Sequence, residues 1–305
     1  MQSVDRPADI GAAAAAARSA ARFRPRRGEV WRTWRRFVRY RPGVAGLALV
    51  VAIGLVAVFA NFLAPYSPLA INPGMRGVGP TPAHLLGYDE IGRDILSRLI
   101  YGSRVAMIVA VLATGIAVLI GVAIGTTAGY LGGRVDAVLS RITDALMAFP
   151  ILVLLIALVA VVGPSLPNVI LVIGATVWAS YARVVRAEVL SLREQEFVVA
   201  ARAVGATDRR IIWRHLVPNV VGPVIVLATL SVGNIIILEA ALSFLGLGVR
   251  PPTPDWGGML ADGRAFIMIY PQIVIVPGVM IAATVLAFNL LGDGLRDALD
   301  PHHHD

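Results

Sequence analysis

Six apolar runs, each long enough or nearly long enough to cross a bilayer, govern what this chain can fold into: 44–60, 105–128, 145–162, 164–182, 217–238 and 265–292. About twenty consecutive apolar residues span the hydrocarbon core as a helix. Lipid satisfies no backbone N–H or C=O, so each run must bond to itself and be helical. Composition agrees: the 305 residues are 57% hydrophobic and 15% charged, with mean hydropathy +0.75. A soluble domain carries about 25% charged residues. The expected fold is an all-α membrane protein with six transmembrane helices. Runs three and four touch at Gly163-Pro164, where the chain must turn sharply. There is no cysteine, which excludes disulfides and thiolate metal sites.

All 27 basic residues are arginine, and eleven of them precede Val44. Residues 1–29 read as a mostly disordered cytoplasmic tail. Over 30–41, Val30, Trp31, Trp34, Phe37 and Val38 oppose Arg32, Arg35, Arg36 and Arg39 at helical spacing. That pattern is an interfacial amphipathic helix, or a basic flank that orients the next helix. Residues 42–104 hold the first crossing and an external loop. Residues 105–298 hold five further crossings and a cytoplasmic loop at 188–218. Residues 299–305 form a tail whose His302 to His304 tract reads as a weak metal binder or a solvated remnant.

Basic loops lie in the cytoplasm. The tail qualifies, as does the segment with Arg183, Arg186, Arg193, Arg202, Arg209, Arg210 and Arg214. Six crossings then leave both termini inside; the family resemblance described below implies a multi-pass protein of a bacterial inner membrane. Arg76, Arg93, Arg98 and Arg104 oppose this placement of residues 61–104, with Asp89, Glu90 and Asp94 in partial balance.

The charged island from Glu194 to Asn219, clamped between two crossings, predicts two short helices. The first runs over about 194–204 and stops at Gly205, with Phe197, Ala200, Ala201 and Val204 on one shallow face. Thr207 is a candidate N-cap for the second, with Asp208 in its first turn and Arg209, Arg210 and Arg214 on its polar side. Such an island is a solvated loop, a DNA-reading helix-turn-helix, or a docking element for a cytoplasmic protein. Tethering at both ends disfavours DNA.

Glu239, just past Asn234 at the outer end of run five, is a structural carboxylate or a gate. The loop 246–264, with Arg250, Pro254 and Trp256, contacts an extracytoplasmic protein or packs over the mouth. Pro223, Pro271 and Pro277 bend helices or are tolerated kinks. A secondary carrier is the alternative function, but the runs show neither paired repeats nor charged centres. A membrane enzyme lacks its motifs: there is no H-E-x-x-H, and no G-x-S-x-G within a run.

Three stretches carry a resemblance. Glu196-Phe197-Val198-x-Ala200-Ala201-x3-Gly205-Ala206-x-Asp208, followed by His215 and Pro218-Asn219, is similar to the EAA loop of ABC-importer permeases. Its acid stands at Glu196, and Val199 occupies the position of the general motif's glutamate, which favours the peptide and nickel subfamily. Leu86-Gly87-x-Asp89-x2-Gly92-Arg93-Asp94-x-Leu96-Ser97-Arg98 through Arg104 resembles the C-type subunit of dipeptide/oligopeptide permeases. So does Glu239-Ala240-x-Leu242-Ser243-Phe244-Leu245-Gly246 with Pro251-Pro252-x-Pro254-x-Trp256.

The resemblance implies a type I ABC-importer permease fold, five crossings forming the core shared with a homologous second permease. It also implies one or two ATP-binding subunits and a solute-binding protein as partners. ATPase coupling would fall to Glu196, Phe197, Ala200, Ala201, Val204, Gly205, Asp208, Arg209, His215 and Pro218. Pathway or gate candidates are Asn234 and Glu239, and binding-protein contacts are Arg250, Pro254 and Trp256. No metal or cofactor is expected in this chain. ATP and Mg belong on the partner subunits, in keeping with the absence of lysine and of a G-x-x-x-x-G-K-[ST] loop.

Overall fold

The computed structural model describes residues 27–299. Most of the predicted tail and the His302 to His304 tract lie outside them. Ten helices are used below: α1 Arg27–Arg39, α2 Arg41–Val58, α3 Ile95–Leu131, α4 Gly133–Met147, α5 Ile151–Val162, α6 Leu166–Leu192, α7 Glu196–Ala203, α8 Asp208–Phe244, α9 Trp256–Gly263 and α10 Gln272–Leu299. Among the described residues no strand forms, only an isolated bridge between Tyr88 and Asp94.

Five helices are long and apolar enough to cross a membrane: α2, α3, α6, α8 and α10. A further crossing, third in chain order, is α4 with α5, bent by 90° at Pro150. Its existence follows from the packing of α3 on α6. A Cβ added at Gly121 would meet Tyr181, one at Gly125 would meet Ala182, and one at Gly129 would meet Arg186. Contacts that advance together along both helices make them parallel, so the chain between them must return across the bilayer. The interface is a small-residue ridge at every fourth position, Ala113, Ala117, Gly121, Gly125 and Gly129. Such a ridge lets backbones approach where lipid offers no hydrophobic drive. Gly43 and Gly46 seat α2 antiparallel on α10 in the same manner, against Gly294 and Leu291.

Helix ends follow local chemistry. Asp94 caps α3, its carboxylate accepting from Ser97 N at 2.7 Å. Gly132 (φ 66°) and Gly133 (φ 53°) separate α3 from α4, and Gly163 (φ 88°) makes the expected sharp turn before α6. Two boundaries differ from the sequence reading. The third run is continuous in hydropathy, yet Pro150 splits it and leaves α5 only twelve residues long. The sixth crossing begins at Gln272 rather than 265, because Pro271 sets the helix start and Arg264–Phe266 forms a separate 3-10 turn. As a result Ile267, Met268 and Ile269 are exposed in a loop.

The amphipathic helix α1 starts at Arg27, three residues before the expected 30. Phe37 is buried in the notch where Gly43 meets Gly294, while Trp31, Trp34 and Val38 are exposed. The Arg35 guanidinium lies 3.9 Å from the centroid of the Trp31 ring.

Three of the four arginines in residues 61–104, Arg93, Arg98 and Arg104, are partnered. Buried Asp89 accepts from Arg98 Nη1 at 2.7 Å and from Arg93 Nε at 2.5 Å. Arg93 also reaches Glu90 at 2.7 Å and Asp262 at 3.4 Å. Arg104 caps α2, donating to the carbonyls of Ala57 and Val58. Burial, then the neighbouring Asp89 carboxylate, pushes the Glu90 carboxyl above its ordinary value, with Arg93 opposing. Burial likewise raises Asp262. Asp89→Ala is expected to leave Arg98 buried and nearly unpaired. The cost should be about 3–5 kcal/mol, read as a lowered melting temperature in detergent.

Candidate functional site

The island between α6 and α8 folds as two linked helices that are fastened to the ends of the spans. In α7, Val198 is fully buried in a cluster with Tyr130, Val185, Val189, Ile211, Leu216 and Val220. Phe197 and Ala201 pack against the same cluster, and the Phe197 ring lies 6.3 Å from that of His215. The end of α7 is a Schellman motif: Ala206 N donates to Ala201 O and Gly205 N to Arg202 O, both at 3.0 Å, with Gly205 at φ 81°. Ala201 and Ala206 make the apolar contact that accompanies this cap. The paired spacing of alanine and glycine in the sequence is therefore the signature of a rigid helix stop.

Further bonds fix the unit. The Tyr130 hydroxyl at the end of α3 donates to Asp208 Oδ1 at 2.7 Å, and the Arg202 guanidinium lies over the Tyr130 ring at 5.3 Å. Arg193 Nη1 donates to Gly129 O at 3.1 Å. Arg186 grips Asp136 of α4 with bonds of 2.5 and 2.6 Å, and Arg183 pairs with Asp144 at 2.9 Å. Before Pro218, which has no N–H to donate, α8 widens into a π turn over Ile212–Leu216, where Val217 N–H reaches Ile212 O. Asn219 Nδ2 bonds the carbonyl of His215 at 2.5 Å. Thr207 stands at the expected N-cap position with extended backbone, but its side chain makes no capping bond.

What remains outward is specific. Glu196, Val199, Ala200, Ala203 and Val204 are exposed, Val204 by 85%. Arg209, Arg210, Trp213 and Arg214 line an open depression beside them. The expected single face of Phe197, Ala200, Ala201 and Val204 is thus divided. Phe197 and Ala201 hold the helix to the protein, and Ala200 and Val204 face away. Asp208 is a pin to α3, and Pro218 sets the π turn.

The outer candidates divide too. Asn234 is exposed on α8. Glu239 is 2% exposed and accepts from Ser243 Oγ at 2.9 Å. Beside it α8 packs closely on α9, where a Cβ added at Gly257 would meet Ala240. Trp256 is 2% exposed, its Nε1 donating to Leu99 O at 3.0 Å and its ring filling the space left by Gly102. Pro254 is buried as well. Neither is accessible to a binding protein, so these two expectations are corrected: burial, for Trp256 against α3, outweighs the loop's rigid, aromatic composition. Arg250 is exposed. Trp256→Phe is expected to remove the indole bond to the Leu99 carbonyl, which keeps its helical partner, and to destabilise by about 1 kcal/mol, whereas Arg250→Glu should leave the melting temperature unchanged.

Sequence reasoning missed Tyr130, Val198 and the Asp89–Arg93–Arg98–Asp262 network. The apolar character of Val198 within a charged island was an available signal. The Tyr130 partnership, 78 residues from Asp208 in sequence, had none.

The model of the binding-protein-dependent transport system inner membrane component family matches residues 117–304, and that of the N-terminal TM domain of oligopeptide transport permease C matches residues 30–80. The dipeptide transport system permease protein DppC of Alkalihalophilus pseudofirmus is 44% identical over 89% of this chain and 90% of its own length. The glutathione transport system permease proteins GsiD of Pectobacterium atrosepticum and Escherichia coli O6:K15:H31 are 41% and 43% identical, covering 89% and 88% of this chain and 91% and 89% of theirs. In fold, the chain resembles one from inward-facing conformations of the MetNI methionine ABC transporter. That match has TM-score 0.53 at 18% identity, over 67% of this chain and 96% of that one.

Proposed function

This chain belongs to the binding-protein-dependent transport permeases, the membrane components of ABC importers, and from that premise we propose that it forms half of a translocation pathway for di- and oligopeptides. It is a permease subunit, not an ion-coupled carrier. In this reading a homologous second permease supplies the other half, one or two cytoplasmic subunits bind and hydrolyse ATP with Mg, and a solute-binding protein delivers substrate. The chain itself performs no catalysis and holds no cofactor. Both termini lie in the cytoplasm, which puts α7 and the start of α8 on the ATPase side.

The observation that carries this reading is α7. It is immobilised by Val198, the Schellman stop and the Tyr130–Asp208 bond, yet presents the small apolar face of Val199, Ala200, Ala203 and Val204 outward. A rigid element with an unpartnered apolar face transmits a push from whatever seats on it. Ala200 and Val204 would make the contact; Phe197, Ala201, Gly205, Asp208, His215 and Pro218 would carry motion into α3 and α8. Arg209 and Glu196 would border the contact.

The substrate follows from the relatives, which are a dipeptide permease and glutathione permeases by name. Labelled dipeptide and glutathione uptake, measured in the native host with and without this chain, tests it. Loss of one uptake on deletion, restored by the chain, is expected. Unchanged uptake of both contradicts the peptide reading.

A further inference from the structure

Two exposed asparagines stand on adjoining helices within the spans. α8 and α10 pack through Gly233, where an added Cβ would lie 3.2 Å from Val285 and 3.4 Å from the Asn289 side-chain oxygen, and through Gly292 against Leu230. Asn234, the neighbour of Gly233, and Asn289 are both exposed, and neither side chain has a hydrogen-bond partner among the described residues. Around them the exposed side chains are Ile237 and Leu286, and the Thr229 hydroxyl is turned back onto Ile225 O at 2.9 Å. One turn beyond Asn289, Asp293 is exposed as well, so the polar stripe leads to the end of α10.

A carboxamide with no partner is costly in hydrocarbon, by several kcal/mol when nothing can bond to it. Two of them on adjoining helices belong to a water-filled path or a polar contact. Resting on the peptide-importer reading above, we propose that Asn234 and Asn289 form a subsite of the translocation path that binds the main-chain amide of a passing peptide. A carboxamide offers both donors and an acceptor, the complement of a peptide bond. It carries no charge, so it is indifferent to the side chains of the cargo. The peptide bond is also what dipeptides and glutathione have in common. Asn234 alone was legible in the sequence as a pathway candidate. Asn289 joins it only through the packing of α10 on Gly233.

The test uses the full complex, this chain with its second permease, ATPases and binding protein, in proteoliposomes. ATP-dependent uptake is measured for a labelled dipeptide and for the same dipeptide methylated at the amide nitrogen. Wild type is compared with Asn234→Ala, Asn289→Ala and the double variant. Alanine at exposed helix positions costs the fold nothing. Taking variant over wild type for each substrate cancels discrimination by the binding protein.

The double variant is expected to lose about tenfold in dipeptide uptake, less for the methylated compound, with subunit recovery and basal ATPase unchanged. Equal loss for both substrates, or no loss for either, overturns the subsite. Loss of the second permease on purification also overturns it, because the asparagines then face that partner. No uptake by the wild-type complex refutes the peptide reading itself, and this subsite with it.

Discussion

Glutamate at Ala200 and Val204 together is expected to abolish uptake and to leave the chain folded. Both side chains are exposed, Val204 by 85%, so two surface carboxylates should change stability by less than about 0.5 kcal/mol each. Against an apolar partner surface the same carboxylates are buried without a cation, which costs several kcal/mol and lowers affinity by at least about a hundredfold. The expected readout is a normal melting temperature and yield, loss of the ATPase on purification, and no uptake. Val198→Glu gives the opposite profile. Its side chain is fully buried among Tyr130, Ile211 and Leu216, so that variant fails by local unfolding. The pair separates docking from holding within one short helix.

The second large effect lies in the membrane. Gly125→Leu prevents the chain from accumulating, because a Cβ there would stand 2.5 Å from Ala182 O and 2.8 Å from Val185 Cβ. The first obstacle is backbone, so no rotamer relieves it, and α3 must separate from α6. Gly125→Ala is expected to cost about 1–3 kcal/mol and to survive with a lowered melting temperature. Gly115→Leu on the same helix is the control: nothing lies within 4 Å of its added Cβ, and no effect on yield is expected.

The crossings were legible because lipid removes the alternatives to helix: apolar length alone decides. Hydropathy is blind, however, to where proline and glycine interrupt the backbone. Pro150 and Pro271 accordingly moved the third and sixth crossings away from their apolar runs. In α7, Gly205 and the alanines were readable because a helix stop has local chemistry. Which alanine faces in was not, since Ala200 and Ala201 differ only in the neighbours that fold against them. Trp256 and Pro254 looked like contact residues because a proline-rich aromatic loop commonly is one. The burial of Trp256 depends on Leu99 and Gly102, more than 150 residues earlier. Asp89 was visible in the sequence as a partial balance to Arg93 and Arg98; Asp262, 169 residues beyond Arg93, was not, because only the fold brings it to them.

The most direct measurement is to tag this chain in its own host, extract it in mild detergent and identify what is recovered with it, for the native chain and for Ala200→Glu with Val204→Glu. Recovery of a second permease and an ATPase with the native chain is predicted, the variant keeping the permease and losing the ATPase. A chain recovered alone, or a variant that retains its ATPase, would contradict the assignment of α7 as the coupling element.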